Sequence, residues 1–434
     1  MLMAEIMAGT QRTRNPKIII AASYCAVFWF LMGQAFLFTV WPDDAGAADV
    51  KAQPSITLSE EYNDNVFLTR YNKLDDYITE VVPAFSIDYK TAFWNWHLDL
   101  AYDYRYYAKG TVSGDRTYRI NLLNHTELIH NLFFIDLSDK YDRVSLNPAR
   151  DFTTQSTFIN QTDTNVLTFN PYLIFSSESR FTPILGYMYV NTWYKSSTAI
   201  STVDHIGYAE MLTDLSSTMT FTTGVRYTQD LNKVQNYDRF DIYAGPKKTY
   251  AQDSYVYLLI GETFLTFQYE NHSTKRTIWN AGIVHRYSTI LAEFHTKSDY
   301  IPDPGNILRR EDLYEASITK GVPRTSIAVL AGFYDYGDAH TNKRTNTTYK
   351  LTGTLSHAIS PTSTLVLTET ISRLEDYINN TTIALWESGI KLERQMSETL
   401  FLSLDYRYTN SYSHDSYQDN YVNNRFSVAL NKRF

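Results

Sequence analysis

Large apolar and aromatic residues occupy every second position over long stretches of this chain. From Trp94 to Tyr106 the even positions hold only tryptophan, leucine or tyrosine, whereas the odd positions hold mostly polar or charged residues. A period of two is that of a β-strand with one apolar and one polar face. The pattern recurs to the last residue, and no helical period of useful length follows residue 50. The chain is therefore predicted to be all-β.

Short turns and longer polar segments alternate between the predicted strands. Short turns fall near Thr91, Asn131, Ser177, Ser216, Gln252, Ser288, Pro323, Pro361 and Ser397. The longer segments are 63–76, 109–115, 146–162, 230–236, 296–310, 336–345 and 410–420. The count is about twenty strands, with a range of about 16–22, and each has the length of a tilted membrane-spanning strand. Short turns on one side and long loops on the other predict a single transmembrane, antiparallel, up-and-down β-barrel with both termini on the periplasmic side.

A soluble β-sandwich is the alternative, because its strands also alternate. Its core favours valine, isoleucine and phenylalanine, whereas the apolar face here is rich in tyrosine and tryptophan near the strand ends. Those residues suit a membrane interface, where an aromatic ring has one wet and one apolar side. A sandwich also rarely carries so many long polar loops on one side. The outer-membrane barrel is favoured.

The charged residues of the strands are predicted to face the lumen. A charged side chain on the lipid face costs roughly 2–4 kcal/mol for Arg or Lys at the membrane midplane, and less for Asp or Glu. A barrel this wide is not filled by side chains, so a water-filled channel of mixed charge is favoured over inward charges that only pair with each other. A plug made from the long loops stays open as an alternative. The predicted lumen-facing set is Asp99, Asp103, Arg105, Arg119, Glu127, Asp136, Arg226, Glu315, Glu387, Lys391, Asp405, Arg407 and Arg425.

The N-terminal segment has the order of a secretory signal. Arg12, Arg14 and Lys17 precede an uncharged stretch, 18–40, which a run of small residues follows. We expect a signal peptide at 1–48, cleaved after Ala47 or Ala48, and a barrel over 49–434. The apolar stretch is longer than in most signals, so an uncleaved inner-membrane anchor is the alternative.

Charge, cysteine content and the absence of catalytic motifs argue against several classes of function. Removing residues 1–47 takes away three basic and three acidic residues, so the net charge stays at −8, which gives no electrostatic basis for binding nucleic acid. The only cysteine, Cys25, lies in the signal, so no disulfide framework is predicted. His125 and His130 point to opposite strand faces, and a wet lining accounts for His97 beside Asp99. With no nucleophile elbow or phosphate-binding loop, we predict a protein that is not an enzyme and holds no cofactor or metal.

The last strand and the last long loop carry two further patterns. Phe426, Val428, Leu430 and Phe434 share one parity, and this resembles the C-terminal signal by which barrel-assembly machinery recognises outer-membrane strands, although Lys432 departs from it. In the loop, aromatic residues lie among serine, aspartate and asparagine, a combination on which sugar rings dock. Such loops are also common on exposed surfaces in general. The predicted glycan-contacting residues are Tyr412, Tyr417 and Tyr421.

The mature chain resembles the outer-membrane barrel proteins associated with the PEP-CTERM/exosortase system and exopolysaccharide loci. The resemblance rests on "ITLSEEYNDNVFLT", "VVPAFSIDY", "FNPYLIF", "ILGYMYVNTWY", "TTGVRYTQ" and "LSLDYRYTNS". It implies an outer-membrane location, no catalytic residues, and a role around export of polysaccharide or surface protein. The leading hypothesis is a passive conduit for such export, with outer-membrane lipid, the assembly machinery and polysaccharide as partners. A diffusion porin for small solutes and a closed structural or adhesive barrel are the alternatives.

Overall fold

The computed structural model describes residues 48–434, except for positions 148, 151–152, 154, 157, 176–179, 233, 235, 269–271 and 417–418. The predicted signal peptide lies outside the described residues, apart from Ala48. Within the described range, no helix is both long enough and apolar enough to cross a bilayer.

The described chain forms twenty antiparallel strands, which confirms the predicted fold class and strand number. The strands are β1 (Asp49–Asn63), β2 (Asp76–Lys90), β3 (Trp94–Tyr107), β4 (Asp115–Ile129), β5 (Phe133–Ser145), β6 (Gln161–Ile174), β7 (Phe181–Tyr194), β8 (Thr202–Ser216), β9 (Met219–Asn232), β10 (Tyr237–Ala251), β11 (Ser254–Phe267), β12 (His272–Tyr287), β13 (Ile290–Asp303), β14 (Asn306–Val322), β15 (Thr325–Asp338), β16 (Arg344–Ser360), β17 (Ser363–Asp376), β18 (Thr381–Ser397), β19 (Leu400–Ser413) and β20 (Tyr421–Arg433).

The sheet closes on itself because the last strand returns to the first. Each strand pairs with its neighbours in sequence, and β20 pairs antiparallel with β1 from Ser55↔Arg433 to Asn63↔Arg425. Closure leaves no open edge that could pair with another chain. Twenty strands spaced about 4.8 Å apart and tilted about 40° enclose a cylinder roughly 40 Å across between opposite backbones. Side chains on the wall leave most of that width free.

The outer face of the barrel is an exposed apolar surface built by cross-strand rows. Ile318 lies opposite Val329 on β14 and β15, and Leu351 lies opposite Ile371 on β16 and β17; all four are exposed. The same alternation that predicted the strands therefore sorts the side chains to two faces. In water, a continuous exposed apolar belt would be unfavourable, whereas a lipid environment stabilises it.

Short turns connect the strands at one end of the barrel, here called the short-turn rim, and longer connections lie at the other end, the long-loop rim. Asn131, Asp253, Ser288 and Arg324 have positive φ angles, between 52° and 66°, in the short turns. Asparagine and aspartate adopt this left-handed conformation more readily than other non-glycine residues. The short turns were predicted at these places; the one near Ser177 falls outside the described residues.

The prediction of a long polar loop over 296–310 is wrong. β13 continues to Asp303 and β14 begins at Asn306, so the connection is a two-residue turn. The backbone register runs on through Tyr300↔Arg310 and Ile301↔Arg309. Main-chain hydrogen bonds do not depend on side-chain polarity, and at the long-loop rim polar residues on both faces are compatible with a strand.

Some carboxylates lie on the outer face, which was not predicted from the sequence. Four of them are Glu60, Asp139, Glu262 and Glu369; Glu60, for example, lies opposite Val428, and Glu262 lies opposite Ile242. Each carboxylate accepts a hydrogen bond from a polar side chain on the adjacent strand, which lowers the cost of placing it there. The pairs are Thr79 with Glu60 at 2.7 Å, Asn165 with Asp139 at 2.9 Å, Thr277 with Glu262 at 2.9 Å and Ser388 with Glu369 at 3.0 Å.

Candidate functional site in the lumen

Strand register places the predicted lumen-facing residues on the inner face. On β3, Asp99, Asp103 and Arg105 alternate with the exposed Leu100 and with Tyr106. By the same parity, all thirteen predicted residues lie opposite the outer apolar rows of their strands. They are Asp99, Asp103, Arg105, Arg119, Glu127, Asp136, Arg226, Glu315, Glu387, Lys391, Asp405, Arg407 and Arg425.

The connection between β5 and β6, residues 146–160, is here called the inserted loop, and several of its described residues contact side chains on the inner face of the barrel. The Thr348 hydroxyl on the inner face of β16 donates to the Ala149 carbonyl at 3.2 Å. Ala149 also packs in a buried cluster with Tyr336, Leu374 and Ile383. These residues belong to β15–β18, on the far side of the barrel from β5 and β6. The inserted loop therefore crosses the lumen, and it narrows the path through the barrel.

Arg150 fastens the inserted loop to the wall next to the β19–β20 connection. Its guanidinium forms an ion pair with Asp419, and its Nη2 lies 3.4 Å from both the Ser411 hydroxyl and the Tyr421 hydroxyl. The Tyr421 hydroxyl donates to Gln155 of the same loop. Arginine suits such a contact because its planar donors reach several oxygens at once.

Of the three predicted glycan-contacting tyrosines, the two that the structure describes point to opposite faces of the barrel wall. Tyr421 lies opposite Ser411 on the inner face and is 4% exposed, which corrects its predicted place on an exposed loop. Tyr412 is 59% exposed and follows Ser411 on β19, so it points to the outer face. Tyr417 lies outside the described residues. The physical reason is that β19 and β20 extend into the segment that had been predicted as loop, and adjacent strand residues point to opposite faces.

The second half of the inserted loop packs on the first loop of the barrel. The rings of Phe158 and Phe67 are 5.5 Å apart in an edge-on arrangement. Both pack against a buried cluster that includes Ile78 and Tyr107 on the inner face of β2 and β3. The inserted loop is thus anchored on two sides of the lumen, by polar contacts near β20 and by apolar contacts near β2.

The β1–β2 loop, against which the inserted loop packs, is itself tied to the β3–β4 loop. Lys109 and Asp75 form an ion pair at 2.5 Å, and the hydrogen bond from the Lys109 ammonium lowers the pKa of the Asp75 carboxyl. Asp76 is buried at the start of β2 and accepts hydrogen bonds from the backbone of Lys109, at 2.8 Å, and from the Thr111 hydroxyl, at 2.6 Å. These contacts fix the loop that carries Phe67.

The tip of the β13–β14 hairpin also bends inward at the long-loop rim, into the opening that is here called the mouth of the barrel. The register between β12 and β13 stops at Trp279↔Ser298. Beyond that point the Arg239 guanidinium on β10 contacts the Asp299 carboxylate at 2.6 Å. The hairpin tip packs in a buried cluster with side chains from the inner faces of β10 and β11. The cluster comprises Tyr237, Leu265, Phe267, Tyr300, Leu308 and Ala339.

A band of charged side chains lines the seam where the barrel closes, between the inserted loop and the short-turn rim. The Arg105 guanidinium lies 2.7 Å from both the Glu80 and the Asp103 carboxylates, and Glu80 also accepts from Ser59 at 2.8 Å. On the other side of the seam Arg407 lies directly opposite Arg425. Both signs are therefore present around one section of the lumen, as in pores that filter solutes by charge.

Two members of this band, Glu61 and Glu80, were not predicted from the sequence. Both share the inner face with predicted residues, since Glu61 lies opposite Ser427 and Glu80 lies opposite Arg105. For Glu80, the alternation along β2 predicts the inner face, because Glu80 shares its parity with Val82 and Ala84 on the less apolar face of the strand. In "SEEYN" no such signal exists, since either glutamate could face inward.

Two half-exposed groups of histidine and aspartate side chains lie on the inner face near the short-turn rim. The His97 ring bridges Asp88, at 2.8 Å, and Asp99, at 2.7 Å, through its two nitrogens. His125 contacts Asp136 at 2.6 Å and stacks on Phe134. These pairs are half-exposed, as expected for polar groups in a water-filled lumen. Among the described residues, no group of three or more histidine, cysteine or acidic side chains converges with metal-binding geometry.

No protein-family model and no curated protein matches this chain. Solved structures that match include a mutant of the ferric enterobactin receptor PfeA of Pseudomonas aeruginosa, with 9% identity, 90% of this chain and 81% of that chain covered, and a TM-score of 0.47. A loop-deletion mutant of OmpT, an outer membrane protein of Vibrio cholerae, matches with 9% identity, coverage of 90% and 100%, and a TM-score of 0.39. Acinetobacter baumannii OccAB2 matches with 9% identity, coverage of 88% and 98%, and a TM-score of 0.40. At these scores the fold rests on the chain's own strand pairing, and the matches say nothing about what passes through the barrel.

Proposed function

We propose that this protein is a non-enzymatic outer-membrane channel whose path is narrowed by the inserted loop. One observation carries the proposal: a polar segment crosses a wide, charged lumen and is held there by specific side-chain contacts, Arg150 with Asp419 and Thr348 with Ala149. The mixed charges of the seam band supply a lining that orders water and favours some solutes over others.

The orientation in the membrane belongs to the same proposal. The long-loop rim, which carries the inserted loop, faces outward from the cell. The short-turn rim faces the periplasm, as do both termini of the chain. Residues 1–48 serve as the export signal. The final strand, with Phe426, Val428, Leu430 and Phe434, is read by barrel-assembly machinery, and the outer apolar rows contact lipid.

The transported substance is proposed to be an exported polysaccharide. The sequence resemblance to barrels of exopolysaccharide loci supports this, as does the aromatic and hydrogen-bonding character of the lumen near Tyr421 and Gln155. A porin for small solutes is the second candidate, favoured by the charged band. A closed structural or adhesive barrel is the third, favoured by the buried contacts of the inserted loop with Tyr336 and Leu374.

Conductance across a planar lipid bilayer tests the proposal. Residues 48–434 are refolded in detergent and compared with a variant in which residues 147–159 are replaced by a short Gly-Ser linker, and with Val329→Ala on the outer face as the matched control. We expect a stable conductance that rises in the loop-replaced variant and is unchanged in the control. Block by added polysaccharide supports the export conduit, and an unblocked current supports the porin. A folded barrel that stays silent with and without the loop contradicts any channel function.

A further inference from the structure

Two aspartates face each other on the inner wall near the long-loop rim. Asp204 on β8 and Asp230 on β9 are directly opposite in the register, and they are 7% and 1% exposed. Both share the inner face with Tyr208 and Arg226 of the same strands. Like charges directly opposite each other on adjacent strands destabilise a sheet, and burial makes the repulsion stronger because water no longer screens it. A pair in this position is stable only with a bound cation or with a proton shared between the two carboxyl groups.

The inner-face arginine on the adjacent strand is already engaged. Arg239, on the adjacent strand β10, forms ion pairs with Asp241 at 2.8 Å and with Asp299 at 2.6 Å. Two carboxylates thus take up its single positive charge. The Asp204–Asp230 pair has no ion pair of its own among the salt bridges of the described residues, so either a bound cation or a shared proton is left to neutralise it.

Neutral oxygens complete the surroundings of the pair. Thr202 lies opposite Asn232, one inward position above Asp204 and Asp230 on the same two strands. Thr202 is 5% exposed, and both its hydroxyl and the Asp204 Oδ1 are buried without a hydrogen-bond partner among the described residues. The Asn232 amide donates to Asp230, which turns the amide carbonyl toward the neighbouring turn. Buried oxygens without partners are costly unless a ligand supplies the missing interaction.

We propose that Asp204, Asp230 and the Thr202 hydroxyl bind a hard divalent cation, Ca²⁺ being the best match. Such cations take oxygen ligands from carboxylates and neutral groups, and water fills the remaining positions. The charge balances, because two carboxylates meet one divalent ion. The site lies beside Tyr237, which is opposite Asp230 and belongs to the cluster that holds the β13–β14 hairpin tip. The bound ion joins β8 and β9 next to that cluster and makes the mouth of the barrel more rigid.

The rival explanation is a single proton shared between the two carboxyl groups. It also removes the repulsion, but it leaves the Thr202 hydroxyl without a partner and predicts no response to calcium. The two explanations differ in one measurable respect, since only the cation site gives a stability that depends on Ca²⁺ at constant pH.

Calorimetric titration of the refolded 48–434 barrel with CaCl₂, after treatment with EDTA, tests the site. We expect binding with a dissociation constant of about 0.1–1 mM, as in extracellular calcium modules, and a higher unfolding temperature in Ca²⁺ than in EDTA. Asp204→Asn should weaken binding at least tenfold. Asp238→Asn is the matched control, because Asp238 is a carboxylate on the neighbouring strand that points to the outer face, where Tyr227 donates to it. It should bind like the wild type.

Three results would overturn the site. The first is no heat of binding in the wild-type barrel, and the second is an unchanged calcium affinity in Asp204→Asn. The third is an unfolding temperature that rises in Asp204→Asn and does not depend on Ca²⁺; this result identifies the shared proton. Thr202→Val keeps the side-chain shape and serves if Asp204→Asn does not refold. It should weaken calcium binding, and wild-type affinity in this variant excludes the hydroxyl as a ligand.

Discussion

Arg150 in the β5–β6 connection forms an ion pair with Asp419 in the β19–β20 connection, and the two residues are 269 positions apart in the sequence. The side chain of Arg150 is largely buried at this contact. Two loops from separate parts of the wall are thereby joined inside the mouth of the barrel. This ion pair and the Thr348–Ala149 hydrogen bond together hold the inserted loop in the lumen.

Arg150→Ala is expected to release the inserted loop and to raise the mean channel conductance. Removing one partner leaves the other charge without compensation, which costs about 1–3 kcal/mol for a buried polar group, and this weakens the closed position of the loop. Single-channel recording measures the effect. Arg373→Ala is the control, because Arg373 pairs with Glu375 on β17 and is exposed on the outer face. Equal conductance in both variants would show that the pair does not hold the loop.

Arg407→Gln is expected to shift ion selectivity toward cations and to stabilise the barrel slightly. Arg407 lies directly opposite Arg425 in the lumen, and like charges in this position repel each other by a few tenths to about 1 kcal/mol. The substitution removes one positive charge from the seam band. The reversal potential in a KCl gradient and the unfolding midpoint in denaturant test the two effects.

The matched control for this substitution is Arg394→Gln. Arg394 lies on β18 opposite Leu402 and points to the outer face near the short-turn rim. An identical reversal potential in the wild type and in Arg407→Gln would show that the seam band does not line the path of the ions.

The strand number and the inward side of thirteen charged residues could be predicted from the sequence, because both follow from a period of two that each strand carries by itself. The placement of Asp103 and Arg105 follows from this period alone. The contacts of the inserted loop could not be predicted in the same way. Thr348 and Ala149 are 199 residues apart, and their meeting depends on the closure of the whole barrel, for which no local pattern exists.

The mouth of the barrel was the least predictable part for a second reason. Tyr300 and Tyr421 are polar enough to be exposed in a loop, and each is buried here by side chains that are distant in the sequence. Membrane-spanning segments must alternate because one face meets lipid. Beyond the membrane this constraint ends, and strands there carry polar residues on both faces.

The outer-face carboxylate Glu369 gives a prediction about stability. It accepts hydrogen bonds from the Trp386 indole and from the Ser388 hydroxyl, both on β18. Ser388→Ala should lower the free energy of unfolding by about 1 kcal/mol, since the carboxylate keeps its place on the apolar face with one donor fewer. The double substitution Glu369→Leu with Ser388→Ala should recover part of that loss, because no charge is then left on the apolar face and only the exposed Trp386 indole loses its acceptor.

Denaturant titration of the barrel in lipid vesicles measures both variants of this pair. Ser372→Ala on the inner face of the same hairpin is the control, and it should change stability by less than Ser388→Ala. A double variant that is less stable than Ser388→Ala alone would show that Glu369 contributes through contacts other than these two hydrogen bonds.

Leu265→Ala should detach the β13–β14 hairpin tip from the barrel mouth. Leu265 is fully buried, with 0% exposure, in the cluster that contains Tyr300 and Leu308 of the hairpin. Truncating a buried leucine costs about 2–5 kcal/mol, and the cavity lies where the hairpin has no hydrogen bonds to β12. Limited proteolysis at the turn formed by 304 and 305 should become faster, while the remaining barrel stays folded. Leu258→Ala, an exposed outer-face leucine on the same strand, should leave the cleavage rate unchanged. Equal cleavage of the two variants would mean that the hairpin tip is held by Arg239 and Asp299 rather than by the apolar cluster.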